Sequence, residues 1–113
     1  MQERRSEVRV LCADLVPVCW KDKQGERHST SAILEDISVS GACLQTEVPV
    51  PRGVELRWHS PNQEFIGEVR YCEFREIGYF VGVEFDTASK WSRKSFRPRH
   101  LLDLRRLLVR AKK

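Results

Sequence analysis

Arg4, Arg5 and Arg9 place three guanidinium groups at the head of this 113-residue chain, where the first apolar run begins. Asp36, Ser38 and Gly41 follow in the stretch LEDISVSGACL. Together these residue types suit the recognition of an anion that also carries a hydrogen-bonding base. A guanidinium forks onto phosphate oxygens, or onto the O6 and N7 acceptors of guanine. A carboxylate can accept from the guanine N1–H and N2–H donors. A serine hydroxyl suits a phosphate oxygen or the orientation of a nearby carboxylate, and a glycine lets a base or a backbone come close. Each group alone has an ordinary explanation. A run of arginines is usually a solvated face. Asp-x-Ser-x-x-Gly is a common turn, in which Asp and Ser bond the local backbone and Gly supplies a positive φ.

The elements that must position these residues are short strands. From Val8 onward the apolar residues mostly alternate, and turn-forming stretches separate the alternating segments. Val8 to Trp20 is the predicted first strand, with Pro17 marking an edge or bulge. KDKQGER is a polar hairpin loop with Gly25 at its tip. SAILEDIS carries a second strand ending near Ile37, and GACLQTEV a third, closed by PVPRG. VELRWH turns Val54, Leu56 and Trp58 inward. FIGEVRYCEF and GYFVGVEF are the fifth and sixth strands, joined by a hairpin, with Tyr79, Val81, Val83 and Phe85 on one face.

Six short strands bury a core most simply by curling into a barrel, which also removes exposed edges. The expected fold is therefore all-β, a six-stranded antiparallel β-barrel over residues 8–86. A C-terminal amphipathic helix is expected over 98–111, where Leu101, Leu104, Leu107 and Leu108 form an apolar stripe. Barrel and helix make one domain across 1–113.

Charge and composition narrow the function. The net charge is +4, but residues 93–113 carry nine Lys/Arg against Asp103 alone, or +8, which leaves −4 on the rest. A mildly acidic body argues against nucleic-acid binding by the barrel, which would need a continuous positive face. Cys12, Cys19, Cys43 and Cys72 lack metal-ligand spacing, so they are expected as reduced, buried core thiols, with no metal site. His28, His59 and His100 lie in unrelated segments, and neither a nucleophile elbow nor a phosphate-binding Walker loop occurs. The expectation is a non-enzyme without a cofactor. Trp20, Trp58, Trp91, Phe74, Tyr79 and Phe80 are assigned to the core or barrel rim. No run approaches the roughly 18 apolar residues of a membrane span, and the charged start lacks a leader, so a cytoplasmic protein is expected.

Arg5-x-x-x-Arg9 followed by Asp36-x-Ser38-x-x-Gly41 resembles the two-part signature of the PilZ domain family, RxxxR and [D/N]xSxxG. Gly82-Val83-Glu84-Phe85 is similar to the family's last strand, and SFRPRHLLD to the lead into its C-terminal helix. The resemblance implies binding of cyclic di-GMP. Arg5 and Arg9 would be the main guanine and phosphate ligands, Asp36 would read the guanine Watson–Crick edge, Ser38 would assist and Gly41 would leave room. It also implies that residues 1–9 are a flexible arm that orders over the ligand and changes the surface shown to an effector protein. Arg4, just before the motif, would stack on a base and support two ligands per protomer; its alternative is a solvated charge. Two other functions stay open: a PilZ-fold interaction adaptor that does not bind the nucleotide, and a small-barrel nucleic-acid binder using the basic tail. A homodimer through the leucine stripe is also compatible.

Overall fold

Alternation is realised almost residue by residue in the first strand, where Val10, Cys12, Asp14, Val16, Val18 and Trp20 point inward. A computed structural model describes residues 9–60 and 63–86 of the chain. Within them lie β1 (Val10–Lys21), β2 (Arg27–Ile37), β3 (Gly41–Thr46), β4 (Glu55–Ser60), β5 (Gln63–Arg75) and β6 (Gly78–Phe85). They close into an antiparallel barrel in the order β1-β2-β3-β6-β5-β4. The six-stranded barrel expected from the pattern is the fold found. Arg4, Arg5, Trp91, the arm through residue 8 and the helix expected over 98–111 lie outside the described residues.

Strand boundaries differ where backbone pairing outruns side-chain pattern. β2 begins at Arg27 rather than Ser31, because its polar first residues continue the ladder with β1 down to Lys21↔Arg27. The loop between them is held by Asp22, whose carboxylate accepts the N–H groups of Gln24 and Glu26 at 2.9 Å each. Gly25 sits at its tip with φ +82, as a tight reversal requires. β1 meets β4 only through Cys19↔Arg57 and Trp20↔Leu56. Two residues before Cys19 on β1 stands Pro17, which has no N–H with which to extend that ladder.

The barrel interior is packed with aliphatic and aromatic side chains. Leu34, Leu44, Leu56, Phe65, Val69 and Val81 are fully buried. Trp58 stacks on Phe65 at 5.3 Å, and Phe85 tilts against both, at 5.8 and 5.3 Å. Val54, Leu56 and Trp58 face inward as expected, as do Val81, Val83 and Phe85, with Tyr79 packed against the core.

The cysteines correct the expectation that all four are core thiols. Cys12 is buried, Cys43 and Cys72 are half-buried, and Cys19 is exposed. Cys19 and Cys43 occupy outward positions of their strands, which a scattered spacing could not reveal. Phe74 likewise lies outside, exposed on the β5–β6 hairpin. Burial pushes the Cys12 thiol up to about 12, so it stays protonated at neutral pH. Reaction with a thiol reagent at pH 8 should therefore modify Cys19 first and Cys12 last, as mapped by peptide mass spectrometry over time. Early modification of Cys12 would show that this end of β1 opens readily.

Candidate ligand-binding site

Two β-bulges shape the outer wall of the barrel. On β2, Leu34 faces Leu44 but Asp36 faces Cys43, so Glu35 is an extra residue. On β5, Val69 faces Val83 but Tyr71 faces Gly82, so Arg70 is an extra residue. A bulge of this kind bends its strand and re-aims a side chain that simple alternation would send inward. Asp36 is thereby turned outward between Leu34 and Ile37, both of which remain in the core. Arg70 and Tyr71 are likewise both outside, between the inward Val69 and Cys72.

The strand register then sets a row across the wall: Asp36 beside Cys43, Cys43 beside Gly82, Gly82 beside Tyr71. One step along lies a second row, Gly41 beside Glu84 and Glu84 beside Glu68. Arg9, immediately before β1, bonds Asp36 at 2.9 Å through Nη1. Sequence reasoning placed these two residues in one site, and the structure brings them into contact across 27 positions of chain.

Ser38 and Gly41 form the floor. Ser38 is buried, and both its backbone N–H and its hydroxyl donate to the Gly41 carbonyl, at 2.8 and 3.3 Å. Gly41 lacks the positive φ of an ordinary turn glycine, which among the described residues only Gly25, Gly53 and Gly78 have. Its requirement is close approach instead. A Cβ there would sit 2.4 Å from the Val83 carbonyl oxygen of β6. Any side chain would push β3 off β6 at the centre of the site.

Tyr71 and Gly82 escaped sequence reasoning. The Tyr71 ring lies over Gly82, where a Cβ would fall 1.9 Å from Cε2. Its hydroxyl donates to Cys43 Sγ at 3.7 Å, pointing the ring back toward Asp36. Burial, with this bond second, pushes the Tyr71 hydroxyl up to about 12 and keeps it a donor. Burial also raises Cys43, and burial together with the adjacent Asp36 raises Glu35. The one available signal was spacing. Leu34–Ile37 and Val69–Cys72 are inward pairs three apart, where unbroken strands give two.

Arg9, Ser38, Gly41, Gly82, Tyr71 and Arg70 line a cleft of about 90 Å³ on this wall. It offers two guanidiniums, the Glu84 carboxylate, a half-exposed aromatic face and a floor of small residues, with Asp36 beside it on Arg9. That set can bind an anion, stack a flat base and read the base's edge.

The PilZ domain family model matches residues 3–99 of the chain. No curated protein matches it. Among solved structures, the chain is similar to the PilZ domain with c-di-GMP of YcgR from Escherichia coli. The identity is 15% over 77% of this chain and 81% of that one, with a TM-score of 0.56.

Proposed function

The chain belongs to the PilZ domain family, and from that premise we propose that it is a receptor for cyclic di-GMP and not an enzyme. The observation that carries this reading is Arg9, held by Asp36 at the edge of a cleft that Arg9 lines together with Ser38 and Gly41. Arg9 offers its fork to a guanine or a phosphate, Asp36 accepts from N1–H and N2–H, and Tyr71 presents a face on which a base can stack. The similar YcgR domain was solved with c-di-GMP, which supports the same ligand class here.

A cleft of about 90 Å³ is far smaller than the roughly 300 Å³ or more of a pocket that encloses a small molecule. The ligand must therefore lie on the wall and be covered from outside. Arg4 and Arg5 stand five and four positions before Arg9 in sequence, and the proposal assigns them to that cover. Arg5 joins Arg9 as a guanine and phosphate ligand, and Arg4 stacks on a base of a second ligand molecule. Ordering residues 1–9 over the ligand changes the surface offered to an effector protein, which is the proposed output. The basic stretch 93–113 is assigned to that contact, or to one with a second copy.

Isothermal titration of the whole chain with cyclic di-GMP, with GTP as control, tests the reading. Saturable binding at micromolar concentration or tighter, lost in Arg5→Ala and absent with GTP, is the expected result. A stoichiometry near two per protomer supports the role of Arg4. No heat and no thermal shift at high ligand concentration would overturn the receptor function and leave an interaction adaptor.

A further inference from the structure

On the side of the cleft opposite Arg9 stands a second arginine–carboxylate pair. Arg70 donates from Nε to Glu84 Oε1 at 3.0 Å, and its Nη2 bonds the same oxygen. Its Nη1 donates to Glu68 Oε2 at 2.9 Å. Glu84 is mostly buried against the wall, at 18% side-chain exposure, so the guanidinium is anchored at one end while half of it stays open to solvent. A guanidinium has five N–H donors, and these three bonds leave two that the carboxylates do not take.

The placement mirrors the first pair. Asp36 lies on β2 and Glu84 on β6, two strands apart, or roughly 10 Å across the sheet. Gly41 and Gly82 lie between them, with the Tyr71 ring seated over Gly82. Each pair is built at a bulge, Glu35–Asp36 on one side and Arg70–Tyr71 on the other. Cyclic di-GMP has matching symmetry, with two guanines and two phosphodiesters on one ring. A ligand lying over Gly41 and the Tyr71 ring can meet one arginine–carboxylate pair with each guanine.

We propose that Arg70, positioned by Glu84 and Glu68, is a further ligand-binding residue that reads the second guanine of the same cyclic di-GMP molecule. Its remaining donors take O6 and N7, the acceptors that adenine does not present together. The inference rests on the receptor reading above, and the test separates the two.

The measurement is a cycle with two ligands and two proteins. Cyclic di-GMP and the mixed cyclic dinucleotide carrying one guanine and one adenine are titrated into the wild-type chain and into Arg70→Ala. The wild type should prefer cyclic di-GMP by about 10-fold or more, the discrimination of one bidentate base contact. Arg70→Ala should bring the two affinities together by weakening cyclic di-GMP more than the mixed ligand, which loses only the charge and not the base contact. Arg70→Lys, which keeps the charge but not the fork, should behave like Arg70→Ala. An equal loss for both ligands in Arg70→Ala would make Arg70 a phosphate or general electrostatic contact and overturn the proposal. So would unchanged binding of both, or wild-type binding without preference. In each of those cases the receptor reading survives. Failure of the wild type to bind either ligand would remove both.

Discussion

Arg9→Ala is expected to weaken cyclic di-GMP binding by about 100-fold while the barrel stays folded and its melting temperature barely moves. The two halves of this result have different causes. The Arg9–Asp36 bond is 2.9 Å long, but the arginine side chain is 56% exposed. Exposed pairs of this kind contribute at most about 1 kcal/mol to folding. Binding loses more, because truncation removes the fork and leaves the Asp36 carboxylate facing the ligand's phosphates without a counter-charge. Deleting one member of such a charge pair typically costs roughly 2–5 kcal/mol of binding, much of it from the partner left behind. Asp36→Asn should therefore lose less affinity in the Arg9→Ala background than in the wild type. Titration calorimetry on the two single variants and the double variant, with thermal melts alongside, reads both halves. Wild-type affinity in Arg9→Ala would place the ligand elsewhere on the barrel.

Phe65→Ala should show the converse, a large loss of stability whose effect on binding follows from unfolding alone. Phe65 is fully buried at the centre of the Trp58–Phe65–Phe85 cluster, touching one ring face to face and the other at a tilt. Truncating a core aromatic costs about 3–5 kcal/mol, through lost transfer energy and the cavity left behind. Against the roughly 5–15 kcal/mol that hold a typical domain together, this brings the barrel near its threshold. A drop in melting temperature of roughly 10 °C or more is expected. The fluorescence of Trp58 should also shift to the red, since its stacked partner is gone and water can reach the ring. A melt within a few degrees of the wild type would mean that Trp58 and Phe85 close over the gap.

Much of this was legible in the sequence. Alternation in VELRWH and GYFVGVEF identified strands and their inward faces, because period two is a local property of an extended backbone. The spacing of Arg5, Arg9, Asp36, Ser38 and Gly41 pointed to the family and to candidate residues for a site. Arg9, Ser38 and Gly41 line one cleft, and Asp36 bonds Arg9 beside it.

What only the tertiary structure decided depends on how strands meet. Gly41 was expected to leave room, but the group that comes close to it is a carbonyl of β6 more than 40 residues away in sequence. The outward turn of Asp36 and the pairing of Arg70 with Tyr71 arise at bulges, where one strand gains a residue relative to its neighbour. That count belongs to a pair of strands and not to either alone. The exposure of Cys19, the seating of Tyr71 over Gly82 and the second arginine–carboxylate pair at Arg70 and Glu84 all follow from cross-strand register. Local chemistry determined which elements form and which residue types could bind, because periodicity and functional groups are carried residue by residue. Register and close approach determined which of them share a site, because those are relations between distant segments that exist only once the barrel has closed.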